Sequence, residues 1–274
     1  MIPAKIPAKI PANARTPLSY LIIFGLLAGV YLLPADTSLS EVRRAGLLRA
    51  CMPPVYPPLV TSDPSAPGVD VELLRALAEK LALKLAITPN PAIGQDFNPR
   101  NWRVTRAQCE VLAGGVVASP VTRSFLETSP SYVETGWGLV LPKPLGDLEG
   151  KRAIVFTGIS GLDRLALSRF LRNKAIEFTI APNAAELMSA LRDGRADFGV
   201  TEMLLAGQIV AREGFVAEWA PAELPRFPVV FGLWKGDLTL KRAIVDGLAQ
   251  LEKSGEMARI LTRYRGERAG SSKG

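Results

Sequence analysis

Asn183 to Glu202 reads NAAELMSALRDGRADFGVTE, and the order of elements within it decides the fold class. Asn183 followed three residues later by Glu186 has the form of a helix start, a capping side chain with a carboxylate in the first turn. Leu187 and Leu191 are four residues apart, which places them on one helix face. Gly194 closes the helix, because glycine takes the left-handed conformation that ends one. Ala196 to Thr201 is then a short apolar strand. A helix turned directly into a strand is the repeating unit of an α/β sheet protein.

The same alternation extends both ways. Upstream, Leu47–Cys51 is a strand closed by Met52-Pro53-Pro54, and Val71–Leu83 is a helix with Leu73, Leu74, Leu77 and Leu81 on one face. Val111–Val116 and Gly138–Leu141 read as strands, the second ended by Pro142. A second block begins with the strand Arg152–Phe156 and a helix over Leu162–Leu171. Downstream, Val229–Trp234 is a strand, and a helix from Leu240 carries Leu240, Ile244, Leu248 and Leu251 on one stripe until Gly255 breaks it. A last short helix holds Met257, Ile260, Leu261 and Tyr264. This pattern predicts parallel sheets with helices on both faces, with ligand-bearing loops after Cys51, Val117, Phe156 and Thr201.

The chain has 274 residues, 48% hydrophobic and 22% charged, the composition of a globular protein, and its length suits either one large α/β domain or two lobes of about 100 residues each. It contains no histidine, which removes His-based acid–base catalysis, Ser-His-Asp triads and His-ligated metal sites. No metal or cofactor is expected. The net charge is +7, but the basic residues are scattered and their longest runs are pairs such as Arg43-Arg44 and Lys241-Arg242. No nucleic-acid-binding motif accompanies them, so nucleic acid is not expected as a partner.

At the N-terminus, Lys5, Lys9 and Arg15 precede an apolar run from Leu18 to Leu33. A basic flank before a hydrophobic stretch is the mark of an export leader. Residues 1–38 are therefore expected to be a signal peptide or an uncleaved membrane anchor, with a periplasmic protein following and a disordered tail over 267–274.

Six stretches, in order, resemble the bacterial extracellular solute-binding proteins of the polar-amino-acid type. These are LLRACMPPVYPPL (47–59), GVDVELLRALAEKLALKL (68–85), CEVLAGGVVASPVTRSFLETSPSY (109–132), LGDLEGKRAIVFTGIS (145–160), LMSALRDGRADFGVTE (187–202) and FGLWKGDLTLKRAIVDGLAQLEKSGEMARILTRY (231–264). The resemblance implies an α/β, two-lobed periplasmic-binding-protein fold. Each lobe is a sheet flanked by helices, and two crossover strands join them. Lobe one is expected over 40–140 with a return over 231–266, and lobe two over 141–230, with crossings near 138–143 and 226–232. Hinge closure would bury a ligand in the cleft.

The resemblance also implies site residues. Arg123, in SPVTR, is the counterpart of an arginine that clamps a ligand carboxylate, and it stands one residue later than the family spacing. Gly158 and Ser160 stand in the place of a turn that presents backbone N–H groups to an anion, and Ser160 could equally cap the following helix. Glu202 follows the strand ADFGVT, where the family carries an acid for the α-ammonium. Tyr56 is a candidate aromatic wall, with Trp102 and Trp137 as further candidates, and packing is the alternative for each. Asp197 reads as a turn residue. Cys51 and Cys109, the two cysteines, are a candidate disulfide in an exported chain. Their offset along parallel strands works against it, since the Cα atoms must approach within about 7 Å.

The resemblance implies a binding protein and not an enzyme. It would capture a small anionic or zwitterionic solute, an amino acid foremost, for an ABC permease or another membrane partner. Two alternatives stand beside it: an accessory protein of a periplasmic quinoprotein dehydrogenase, and a cyclohexadienyl-dehydratase-like enzyme on the same scaffold.

Overall fold

A computed structural model describes residues 20, 23–25, 36–158 and 161–265. Most of the leader expected over 1–38 and all of the tail expected over 267–274 lie outside them. The chain divides between Asp36 and Thr37. Among the described residues, no helix is long and apolar enough to cross a membrane.

Helix α1 (Ser38–Ala45) leads into β1 (Leu47–Met52), α2 (Val69–Lys80), β2 (Lys84–Pro89), β3 (Val111–Leu112), α3 (Pro120–Phe125) and β4 (Leu126–Thr128). Then come β5 (Val133–Thr135), β6 (Trp137–Leu141), β7 (Arg152–Val155), α4 (Arg164–Asn173), β8 (Glu177–Ile180), α5 (Ala184–Arg192) and β9 (Phe198–Glu202). The chain continues through α6 (Met203–Glu213), β10 (Val216–Trp219), β11 (Phe227–Val229), β12 (Gly232–Trp234), α7 (Leu238–Lys253) and α8 (Glu256–Arg265).

Two five-stranded sheets form, in the orders β2-β1-β3-β12-β4 and β10-β6-β9-β7-β8. Both are mixed, which corrects the expectation of parallel sheets. β1 runs parallel to β2 and β3, and β7 runs parallel to β8 and β9. β12 and β6 run antiparallel to their neighbours, because each enters its sheet from the opposite lobe. β5 and β11 pair with each other as a separate antiparallel ribbon, with Val133 opposite Val229 and Thr135 opposite Phe227.

That ribbon is the crossover between the lobes. The boundary expected at 140–141 falls inside β6, which already belongs to the second sheet. Pro142 ends that strand but does not mark the crossing. The strand expected over Val229–Trp234 is likewise two strands, one in the ribbon and one in the first sheet. The strand expected over Val111–Val116 stops at Leu112, because Gly114 and Gly115 take φ of +79° and +93° and turn the chain out of the sheet.

The central strands of each sheet are buried on both faces, and the edge strands β2, β8 and β10 are largely exposed. Leu48, Ala50 and Met52 of β1 face α2 and α7, while Cys51 faces the other way, toward Ile93, Trp102 and Leu112. Cys51 and Cys109 are joined by a disulfide, with Cα atoms 5.7 Å apart. Cys109 lies ahead of β3, so the strand offset does not keep it from β1. Trp234 of β12 donates from Nε1 to the Cys109 carbonyl at 2.7 Å and closes the same corner.

Candidate ligand-binding site

The carboxyl ends of β1, β7 and β9 open onto one cavity of about 180 Å³. Tyr56 and Pro57 line it from lobe one, and Phe156, Thr157, Gly158, Glu202 and Leu205 line it from lobe two. The hollows at α2–α8 and beside α1 are larger, about 290 and 430 Å³, but they lie outside the interlobe crevice and hold ion pairs such as Arg263–Glu72 and Arg49–Glu110. A crevice beyond strand ends, with apolar walls and a convergent polar group, is where an α/β protein of this kind binds a small molecule.

Tyr56 follows β1 in a tight loop, its N–H donating to the Val60 carbonyl at 2.7 Å. Its ring lies against two glycines. A Cβ at Gly115 would stand 3.1 Å from Tyr56 Cε1, and one at Gly94 would stand 3.2 Å from Cδ2. The ring is 5% exposed, and its hydroxyl is buried without a hydrogen-bond partner. Burial, with the nearby Glu202 and Asp70 carboxylates, pushes the phenol well above its usual range. It therefore stays neutral, able to donate and to accept.

Glu202 ends β9 and caps α6, accepting from Leu205 N–H at 2.9 Å through Oε2. Its Oε1 accepts from the Thr135 hydroxyl on the crossover ribbon. The residue is 4% exposed. Burial raises its carboxyl, opposed by the Thr135, Leu205 and Leu204 donors. A cation in the cavity would bring Glu202 back to its charged form.

Gly158 lies in the turn after β7 with φ +57°, and Ser160 lies outside the described residues. The helix that follows is capped by Asp163, whose Oδ1 accepts from Leu165 and Ala166 N–H at 2.9 Å each. Both roles expected of Ser160 fall outside the described residues. The amides that would have met a ligand anion at that helix end are already occupied by a carboxylate.

Arg123 is exposed, on α3, and does not line the cavity. Thr122 takes the inward position instead, fully buried, its hydroxyl 3.0 Å from Ser119 Oγ and 3.4 Å from the Phe97 carbonyl. One residue along a helix is a rotation of about 100°, so the displaced spacing turns the guanidinium toward solvent. Trp102 and Trp137 are buried in the cores of the two lobes. Asp197 accepts from Arg152 N–H at 2.8 Å and pairs with its guanidinium.

The lobes also touch beside the cavity. Phe97, from a lobe-one loop, packs into the lobe-two core with its ring 5.4 Å from that of Phe227. Pro57 and Leu205 were not singled out from the sequence, and Phe156 and Thr157 entered it only as a strand end and the first residue of the loop after it. Their one signal was position, since each lies within a few residues of a strand end.

A model of the bacterial extracellular solute-binding proteins, family 3, matches residues 48–267. Among solved structures, an ancestral cationic amino acid solute-binding protein aligns with a TM-score of 0.67 at 20% identity, covering 83% of this chain and 99% of that one. An ancestral amino acid-binding protein described as a precursor of cyclohexadienyl dehydratase gives 0.59 at 20% identity, covering 83% and 99%. A Streptococcus pneumoniae ABC uptake transporter substrate-binding protein with bound histidine gives 0.60 at 19% identity, covering 87% and 99%.

Proposed function

The chain belongs to the bacterial extracellular solute-binding proteins, family 3, and on that premise we propose that it captures a small amine-bearing solute, amino acids foremost, for an ABC importer. The observation that carries this is the buried Glu202 carboxylate on the wall of an interlobe cavity. Glu202 takes the ammonium group. Tyr56, Pro57, Phe156 and Leu205 take the apolar part, and the Thr157–Gly158 turn borders the remainder. Arg123 is assigned no ligand contact. The protein works in the periplasm, free or tethered by its N-terminal segment, with a permease as its partner. Thermal-shift and calorimetric screening of the twenty amino acids and their decarboxylated amines tests this. Binding by at least one of them, weakened in Glu202→Gln, supports the reading. Binding confined to solutes without an amine overturns it.

A second reading, a dehydratase of prephenate-like acids on the same scaffold, draws on one observation: burial holds Glu202 toward its protonated form, the state of a general acid. Incubation with prephenate decides it, because an enzyme would consume the compound and Glu202→Gln would not.

A further inference from the structure

Asp70 is fully buried in lobe one, outside the cavity, yet it holds two segments that lead to the two cavity walls. It stands in the first turn of α2, and its own N–H donates to the Leu59 carbonyl at 3.0 Å, inside the loop that carries Tyr56. Its Oδ2 accepts from Gly114 N–H at 2.6 Å, and Gly115 N–H also donates to this carboxylate. Gly115 is the seat of the Tyr56 ring. Its Oδ1 accepts from the Tyr132 hydroxyl at 2.7 Å.

Tyr132 is the last residue before β5. Its N–H meets the Val229 carbonyl of β11 at 3.3 Å, and its ring lies 4.8 Å from that of Phe231. Three residues further along extended chain, Thr135 donates to Glu202. We propose that Asp70 is a positioning residue for the ligand cavity. One carboxylate oxygen fixes the Gly114–Gly115 turn, whose second residue seats Tyr56, and the other fixes the head of the crossover strand whose far end holds Glu202.

The placement is costly. Burial pushes the Asp70 carboxyl up to about 7, even with a hydroxyl and two amides donating to it. An apolar residue would fill the same volume without that cost. It could not fix two amides and a hydroxyl in one geometry. The inference goes beyond solute binding and does not depend on which solute is bound.

Hydrogen-exchange mass spectrometry of the ligand-free full chain tests it, on the parent, Tyr132→Phe, Asp70→Ala, Asp70→Asn and a packing control, Leu248→Ala in α7. Tyr132→Phe removes one oxygen and keeps the ring. Tyr132→Phe and Asp70→Ala are expected to speed exchange at least tenfold at 114–117, at 133–135 and at 203–205, and to leave α7 unchanged. Asp70→Asn is expected to restore exchange to within about threefold of the parent, because an amide oxygen accepts from the glycine amides while its nitrogen donates to Tyr132. Leu248→Ala is expected to loosen the lobe-one segments together, with no pattern centred on the cavity. If Tyr132→Phe leaves 114–117 unchanged, or matches the Leu248→Ala pattern, or if Asp70→Asn exchanges as fast as Asp70→Ala, the proposal is overturned. Failure to find an amino-acid ligand would leave this result standing, since no ligand is added.

Discussion

The two walls of the cavity are built differently. In lobe one, the Tyr56 ring lies against Gly94 and Gly115, and the turn that carries Gly115 has no spare room at its preceding residue. A Cβ at Gly114 would stand 2.2 Å from Pro53 Cδ. In lobe two, a Cβ at Gly158 would find its nearest neighbours at 3.9 and 4.0 Å, both side-chain carbons. Lobe one presents a fixed, neutral surface set by close packing. Lobe two presents a buried carboxyl at a strand end, beside a looser turn. Substitutions beneath the first wall should therefore cost stability, and substitutions in the second should change binding.

The largest expected effect concerns the lobe-one framework. The disulfide closes a loop of sequence separation 58, and replacing both cysteines by alanine should lower unfolding stability by about 4 kcal/mol in urea titration. A loss under about 1 kcal/mol would mean that non-covalent packing alone holds this lobe.

The glycine contrast comes next. Gly114→Ala should cost about 3 kcal/mol, combining a left-handed φ with a contact that must be displaced. Gly158→Ala should cost about 1 kcal/mol, from φ alone. Equal losses in chemical denaturation would erase the distinction between the walls.

The third expectation is a pH dependence. Asp70 has a folded pKa of about 7, above its usual 3.8. The native state thus holds a proton that the unfolded chain releases, and stability falls as pH rises between these values. Glu202 is raised too and acts in the same direction. Carboxylates held low, such as Glu127 and Asp197, act oppositely, but their contribution is complete above the usual carboxylate range. Between pH 5 and 7 the loss attributable to Asp70 should be about 2 kcal/mol, and Asp70→Asn should flatten it in denaturation curves taken across that range.

For the lobe-two wall, Glu202→Gln should weaken binding of an ammonium-bearing solute by about 2 kcal/mol and spare simple carboxylates, read by calorimetry. It should not destabilise the protein at neutral pH, because it removes a carboxyl whose ionisation is opposed by burial. The smallest effect is at Arg123. Exposed and outside the cavity lining, it should change stability by less than about 0.5 kcal/mol when replaced by alanine, with affinity unchanged. A tenfold loss of affinity would bring α3 into the binding surface and revise the comparison.

Legibility followed the range of the interactions. Asn183 was readable as a cap, and it accepts from Glu186 N–H at 2.9 Å, a contact three residues long. The stripe Leu240, Ile244, Leu248 and Leu251 was readable because helix period alone places those residues together, and all four are buried. Tyr56, Gly158 and Glu202 were singled out through the resemblance to the solute-binding family, and they line one cavity. Arg123 could not be judged from spacing, since one residue of helix register decides which way a side chain faces.

Local periodicity, caps and turn residues in the chain determined the order of helices and strands in two α/β blocks, and the family resemblance made them two lobes. Tertiary structure alone decided that β12 lies between β3 and β4, that β5 and β11 form the crossing, and that Asp70 touches Tyr132 across 62 residues and Thr135 touches Glu202 across 67. Secondary structure follows from contacts a few residues apart. Which strands meet, and which carboxyl groups lose their water, depends on chain segments whose distance in sequence carries no record of their distance in space.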